Sequence, residues 1–394
     1  MEIRPYEKNQ KKHPKKQIEQ VANSIKEFGM NQPIVVDKQG VIIVGHGRYE
    51  ALKLLKWEIK PEWVKTVDLT EEQAKAYRLA DNKLNESEWD MSLVIEELKG
   101  LSEPMLELTG FDKDLLIEPE EKDDEVPEVP EEPKSKLGDL YELGNHRVLC
   151  GDSTSLESVE RLMDGKKADI SFTSPPYNAG QDIASGKDSK YLHSDDRVDY
   201  LQLIVDTTNN SLLNAKDVFV NLQFLSGNKK EMLRWLADLA DNFKDIFFWK
   251  KTQVQPAMAE NIANSQVEVI CLFGKDNNSR SWGNKRFRGT FSNHIETKSA
   301  SSENKSASIH KATFPVELPL TFLKQGYERG SKVLDLFAGT GTTMIACEKL
   351  GMNCYMVDIE PAYVDVIVQR YVDYTGNTKI KCNGEDIEWT VSVK

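Results

Sequence analysis

The sequence lacks any run of eighteen or more apolar residues, and its first thirty residues are rich in Lys, Glu and Gln. That excludes a spanning helix and a secretory signal and sets the expectation of a cytoplasmic protein without a membrane partner. Paired cysteines are missing too. Cys150, Cys271, Cys347, Cys354 and Cys382 form an odd set without CxxC or Cys/His ligand spacing, so neither a disulfide framework nor a metal site is implied. Positive charge is scarce: the net charge is −13, which at first argues against a partner rich in phosphate. Its distribution changes that reading, because residues 117–133 hold nine acids and one base and leave only −5 for the rest of the chain. A basic patch can coexist with that.

What is present is ample core material. Apolar residues make up 39% of 394, with seven Trp, twelve Tyr and fourteen Phe, enough for two or three domains. The acidic segment, residues 117–136, carries four prolines and no hydrophobic periodicity, and reads as an extended, self-repelling linker between domains at 1–116 and 137–394. Before it, Ile18, Val21, Ala22, Ile25 and Phe28 recur at helical spacing, Ile34–Asp37 and Val41–Val44 flank a turn, and Arg48–Lys56 reads as a helix. Thr70 to Gln73 has capping-box spacing, and Asp90 is placed to cap a helix running to Lys99. This front unit is expected to be a compact α+β domain. After the segment, short β-branched runs alternate with amphipathic stretches, the pattern of a largely parallel α/β sheet covered on both faces.

Val333 to Thr343, VLDLFAGTGTT, takes an apolar strand through a glycine turn into a helix. Gly339 and Gly341 let the backbone approach a ligand, and amides at the helix start can meet its polar groups. Fifteen residues on, Asp358 ends the next strand, placed to accept hydrogen bonds from a ribose diol. Met344 stands where a dinucleotide fingerprint has its third glycine, and Asp335 before the turn would repel a pyrophosphate while suiting the cationic end of S-adenosylmethionine. Phe172-Thr173-Ser174-Pro175-Pro176-Tyr177-Asn178 follows another apolar strand. Its prolines fix the backbone and leave carbonyl oxygens as acceptors. Ser174 and the Pro175 carbonyl suit the two N–H groups of an aromatic amine, and Tyr177 suits stacking on an extruded base.

On TSPPYN and DLFAGTGTT in that order, residues 136–374 resemble the amino-group DNA methyltransferases, β class, which act on adenine N6 or cytosine N4. The resemblance implies a Rossmann-like sheet dependent on S-adenosylmethionine, with catalytic Ser174, Pro175, Pro176 and Tyr177. It also implies a donor pocket made by Asp152 and Thr173, by Phe314 and Pro315, by Asp335, Phe337, Ala338, Gly339, Thr340, Gly341 and Thr342, and by Asp358. Serine at the first tetrapeptide position leans toward cytosine. The cysteine nucleophile of a C5 enzyme is missing from the motif.

Residues 275–311 carry eight bases against three acids, with Trp282, Phe287 and Phe291 interleaved. They read as the target-recognition insert, with Arg280, Lys285, Arg286 and Arg288 on DNA and the aromatics filling the gap of a flipped base. Residues 180–198 form a second polar insert. At the front, Ile3–Asn9, Gly45-His46-Gly47-Arg48 and Tyr77–Lys83 resemble the ParB/sulfiredoxin-like domain, although His46-Gly47 departs from its usual GERR. The expected partners are double-stranded DNA, a nucleotide at Gly45–Arg48 and a second copy of the chain. The competing readings are a non-catalytic DNA-binding adaptor, a methyltransferase acting on RNA or a protein amide, and a dehydrogenase.

Overall fold

The computed structural model describes residues 2–7, 13–84, 89, 91–177, 199–252, 261, 266–276, 279–285, 287, 291–297 and 314–390. The chain divides into two units, Met1–Leu116 and Ile117–Lys394.

In the first unit α1 (Lys15–Phe28) turns Ala22 and Ile25 inward against β1 (Ile34–Val36) and β2 (Ile42–Val44). The two strands pair antiparallel, and β3 (Val64–Thr66) joins β1 in parallel. Helices α2 (His46–Leu55), α3 (Glu71–Leu84), α4 (Met91–Lys99) and α5 (Glu103–Thr109) complete the unit as described. The predicted capping box is formed: Thr70 Oγ1 accepts from the Gln73 amide at 3.2 Å, and Gln73 Oε1 accepts from the Thr70 amide at 3.0 Å. Asp90 lies outside the described residues.

The second unit opens with the hairpin β4 (Leu140–Leu143) and β5 (His146–Cys150), followed by α6 (Leu156–Met163), β6 (Ala168–Thr173), α7 (Tyr200–Asn214) and β7 (Ala215–Leu222). Next come α8 (Lys229–Asp238), β8 (Phe243–Lys251), β9 (Val267–Gly274), β10 (His294–Thr297) and α9 (Glu317–Gly326). The chain continues through β11 (Lys332–Asp335), α10 (Thr342–Leu350), β12 (Asn353–Asp358), α11 (Pro361–Thr375), β13 (Lys379–Cys382) and β14 (Glu385–Glu388). One eleven-stranded sheet runs β10-β8-β9-β7-β6-β11-β12-β5-β4-β13-β14.

Its middle, β7-β6-β11-β12-β5, is parallel. These strands are buried on both faces: Ile170 and Phe172 of β6 and Phe219 of β7 join one apolar cluster, while Val218 and Val220 of β7 and Leu334 of β11 join the other. Each fully buried aromatic or branched side chain contributes about 1.5–3 kcal/mol. From β6 the chain crosses outward to β7, and from β11 it crosses the opposite way to β12, so a crevice opens between the carboxyl ends of β6 and β11.

Residues 117–136 correct the linker reading, for they pack on the second unit. A short helical turn, Glu121–Asp124, is closed by a reciprocal cap between Glu120 and Asp123. Asp123 is buried and pairs with Lys349 at 2.8 Å, Asp124 Oδ1 accepts the Val316 amide at 2.8 Å, and Asp365 accepts the amides of Lys134 and Ser135. The segment lacks periodic apolar residues because its anchors are one buried ion pair and carboxylate–amide hydrogen bonds, which a hydrophobic pattern cannot register.

Candidate functional site

Thr173 ends β6 and Asp335 ends β11, and their side chains meet: Thr173 Oγ1 donates to Asp335 Oδ1 at 2.9 Å. Asp335 Oδ1 also accepts the Phe337 amide at 3.1 Å, and Oδ2 accepts Thr343 Oγ1 at 2.6 Å. Burial raises its pKa against these donors. Asp335 is 1% exposed and faces inward, which corrects its assignment to a ligand's cationic end. It ties the tetrapeptide strand to the glycine turn.

The turn is held on its inner side. Ala338 is buried with its amide on the Val357 carbonyl, and Thr340 and Thr342 are buried beneath Arg370. Arg370 Nη1 donates to the Thr340 carbonyl at 2.9 Å and approaches the Thr342 hydroxyl at 3.3 Å, while Nη2 donates to the Asp123 carbonyl at 2.7 Å. The threonine side chains therefore serve this prop, in place of the expected ligand contacts. Phe337 and Gly339 are the part of the turn left half-exposed. Gly339 takes φ +52° with no atom within 4 Å of where a Cβ would stand, and Gly341, at φ +79°, starts α10 with Ile367 3.3 Å from such a Cβ. The open side of Gly339 gives the room that a close ligand approach requires. Phe314 departs from its expected pocket-lining place: it is buried against Phe172, centroids 5.7 Å apart, with Pro315 buried beside it.

Asp358 at the end of β12 is half-buried and accepts the Gly339 amide at 2.8 Å and the Glu360 amide at 2.9 Å. Burial pushes its carboxyl up to about 7, with Asp335 and Glu360 adding to the rise against the two amides. Asp152 follows β5, the strand paired with β12, and is exposed, its Oδ1 accepting Thr154 N and Oγ1. The carboxyl ends of four neighbouring strands thus gather Ser174–Tyr177, Phe337–Gly341, Asp358 and Asp152. A nucleoside with a diol fits this set: there is free space at Gly339 and a carboxylate acceptor at Asp358. Because diol donors favour the ionised carboxylate, nucleoside affinity is expected to weaken about tenfold for each pH unit below roughly 7. Asp358→Asn removes that slope; calorimetric titration from pH 5.5 to 8.5 checks it, and equal slopes reject the assignment.

Around the tetrapeptide the structure adds residues that sequence reasoning missed. Ser174 Oγ lies 3.2 Å from both Tyr177 Oη and the Asn221 carbonyl. Tyr177 Oη donates to Glu268 Oε2 at 2.7 Å, and Asn221 Nδ2 donates to Tyr177 Oη and to Glu268 Oε2, each at 2.8 Å. Glu268 Oε1 is paired with Lys251. Burial, followed by the Glu268 charge, drives the Tyr177 phenol well above its usual range. Asn228 Nδ2 donates to the Tyr177 carbonyl at 2.6 Å. Asn221, Lys251 and Glu268 come from β7, β8 and β9, so no local motif links them. A polar pair inside two apolar strands was the one available signal.

The aromatic residues of the basic stretch depart from their expected role. Trp282 is buried, and Phe287 and Phe291 pack on the same aromatic cluster, 4.9 and 5.1 Å from it, so these rings are core rather than fillers of a DNA gap. Arg280 makes a two-pronged bond to Asp245 at 2.8 and 2.9 Å, and Lys285 Nζ donates to the Lys324 carbonyl at 2.9 Å. Arg286, Arg288 and residues 178–198 lie outside the described residues.

In the first unit, a cleft of about 780 Å³ is lined by His13, Gln32, Gly45, His46, Gly47 and Arg48, among others. His46 Nε2 accepts the Tyr6 amide at 3.2 Å, and burial with the nearby Arg78 and His13 lowers its pKa to about 4, the behaviour of a neutral structural acceptor. Arg48 reaches Gln32 and the Pro33 carbonyl, and its Nε is buried without a partner among the described residues.

The family described as DNA methylase matches residues 168–369, and the ParB N-terminal domain matches residues 2–83. Over 72 residues the chain is 42% identical to the ParB-like nuclease domain-containing protein YnaK of Escherichia coli (strain K12), covering 18% of this chain and 82% of that protein. Type II methyltransferase M.MwoI of Methanothermobacter wolfeii is 25% identical over 255 residues, 60% of this chain and 35% of that enzyme, so the chain spans about a third of its length. Among solved structures, the PvuII DNA methyltransferase (cytosine-N4-specific) is similar at 18% identity with a TM-score of 0.46, covering 62% of this chain and 92% of that one.

Proposed function

This chain belongs to the DNA methylase family, and on that premise we propose that its crevice between β6 and β11 brings an exocyclic amine of a DNA base, adenine N6 or cytosine N4, to S-adenosylmethionine. When bound, S-adenosylmethionine supplies an electrophilic methyl group on a sulfonium sulfur. Phe337, Gly339 and Asp358 hold that donor, with Asp152 beside its base end. Ser174 Oγ and the Pro175 carbonyl accept the two N–H groups of the target amine, orienting a nitrogen whose lone pair is otherwise conjugated with the ring. Tyr177 offers its ring face to the extruded base while its hydroxyl stays anchored on Glu268. The Thr173–Asp335 bond joining the two loops is the observation that carries this reading.

Single-molecule sequencing of DNA from a host expressing the chain is expected to show N4-methylcytosine or N6-methyladenine at one recurrent sequence. Unmodified DNA from such a host rejects the proposal. In the first unit, the cleft at the start of α2 and the unpartnered Arg48 Nε support nucleotide binding there. Nucleoside triphosphates are expected to bind the wild-type chain and not Arg48→Ala in equilibrium titration, and equal binding by both discards the site.

A further inference from the structure

Tyr177 Oη accepts from a group that can only donate, the Asn221 amide nitrogen, so the phenol's own proton is directed to Glu268 Oε2. The amide is fixed in this sense because its reverse would set Asn221 Oδ1 against the Glu268 carboxylate. Among the described residues Oδ1 is buried without a partner. Ser174 Oγ has two acceptors for its one proton, the Asn221 carbonyl and Tyr177 Oη, each at 3.2 Å, and turned to the second it completes a line of hydroxyls from the tetrapeptide to a carboxylate 2% exposed. Lys251 pairs with that carboxylate from the far side and is about a quarter exposed, so the line ends where water begins.

We propose that Ser174, Tyr177 and Glu268 form a proton relay that carries away the proton released by the methylated amine, with Asn221 as the residue that sets its direction. The inference rests on Ser174 receiving the target amine. The amine nitrogen uses its lone pair to form the N–CH3 bond as the S–CH3 bond breaks and its electrons stay on sulfur. The nitrogen, now cationic, gives a proton to Ser174 Oγ, the Ser174 proton passes to Tyr177 Oη, and the Tyr177 proton passes to Glu268, which becomes neutral. Charge balances: the sulfonium is lost, the carboxylate is neutralised, and water reclaims the proton beside Lys251. A protonated aryl amine is a strong acid, so a carboxylate is basic enough to receive it.

The test uses the full chain and unmethylated bacterial genomic DNA. In single-turnover transfer of a tritiated methyl group, Glu268→Gln and Tyr177→Phe are each expected to slow the reaction about 100-fold, within the range for proton-transfer groups. Glu268→Asp, which keeps a carboxylate, should recover part of the rate. Lys251→Met/Glu268→Gln removes both charges together and guards against misfolding caused by an unpaired lysine. A second readout needs no donor: in the unliganded chain labelled with 13Cζ-tyrosine, the resonance missing from Tyr177→Phe should shift in Glu268→Gln, where the carboxylate that accepts its proton is gone. Wild-type rate in Glu268→Gln, or a Tyr177 resonance indifferent to that substitution, overturns the relay alone. No transfer by the unaltered chain overturns the reading of Ser174 and the relay with it.

Discussion

Replacing Tyr177 by alanine lowers methyl transfer to DNA by more than the about 100-fold expected of Tyr177→Phe, because the stacking ring is lost along with the hydroxyl, while donor affinity stays at the wild-type level. The split follows from placement. The Tyr177 ring lies on the β6 side of the crevice, whereas the open donor-facing positions, Phe337, Gly339 and Asp358, belong to β11 and β12 and the turn after β11. Pro176→Ala works in the same direction by freeing a backbone that the ring fixes. Tritiated-methyl incorporation under single turnover, beside equilibrium binding of the donor, measures both quantities. Equal incorporation by wild type and Tyr177→Ala rejects the assignment.

The second large effect is expected at Arg370, far from the tetrapeptide in sequence and silent in any motif. It is buried at 3% exposure, and burial brings its pKa down to about 10 despite the charges of Asp124 and Asp123. Arg370→Leu strips the glycine turn of its prop and removes the charge that holds down the carboxyl of Asp124 against burial. Losing the charge-assisted hydrogen bonds to the Thr340 and Asp123 carbonyls costs about 3–6 kcal/mol together. For a unit of this size that is a fall of roughly 10 °C in the unfolding temperature of Ile117–Lys394. Donor affinity should fall with it, because the turn is no longer braced. Scanning calorimetry of the full chain checks the first, titration with donor the second; an unchanged transition with unchanged affinity discards this role for Arg370.

Much of the sheet could be read directly from residues. Runs such as Val333–Asp335 and Asn353–Asp358 are apolar on both faces, as central parallel strands must be, and their glycine or acidic ends mark where they stop. α7 escaped because its buried positions include Thr207, Thr208, Asn210, Ser211 and Asn214, which break the apolar rhythm while bonding to carbonyls and to one another's strands. α8 ends at Asp238, and Phe243 already begins β8. Trp282 was misread for the opposite reason: a tryptophan among basic residues looks like a nucleic-acid contact until the fold sets it 5.4 Å from Phe219. The tetrapeptide and glycine turn were visible because each is contiguous. Glu268, Asn221 and Arg370 were not, since their meaning exists only once three or four separate segments are stacked side by side.

The Thr173–Asp335 bond has a consequence for the order of events. A crevice whose two walls share one buried carboxylate cannot be adjusted on one wall without altering the other, so occupancy by either reactant sets the affinity left for its counterpart. That influence is mutual and equal in free energy. An empty crevice and a half-filled one are therefore different receptors, and the sequence in which DNA and donor arrive changes rates without changing the final ternary assembly.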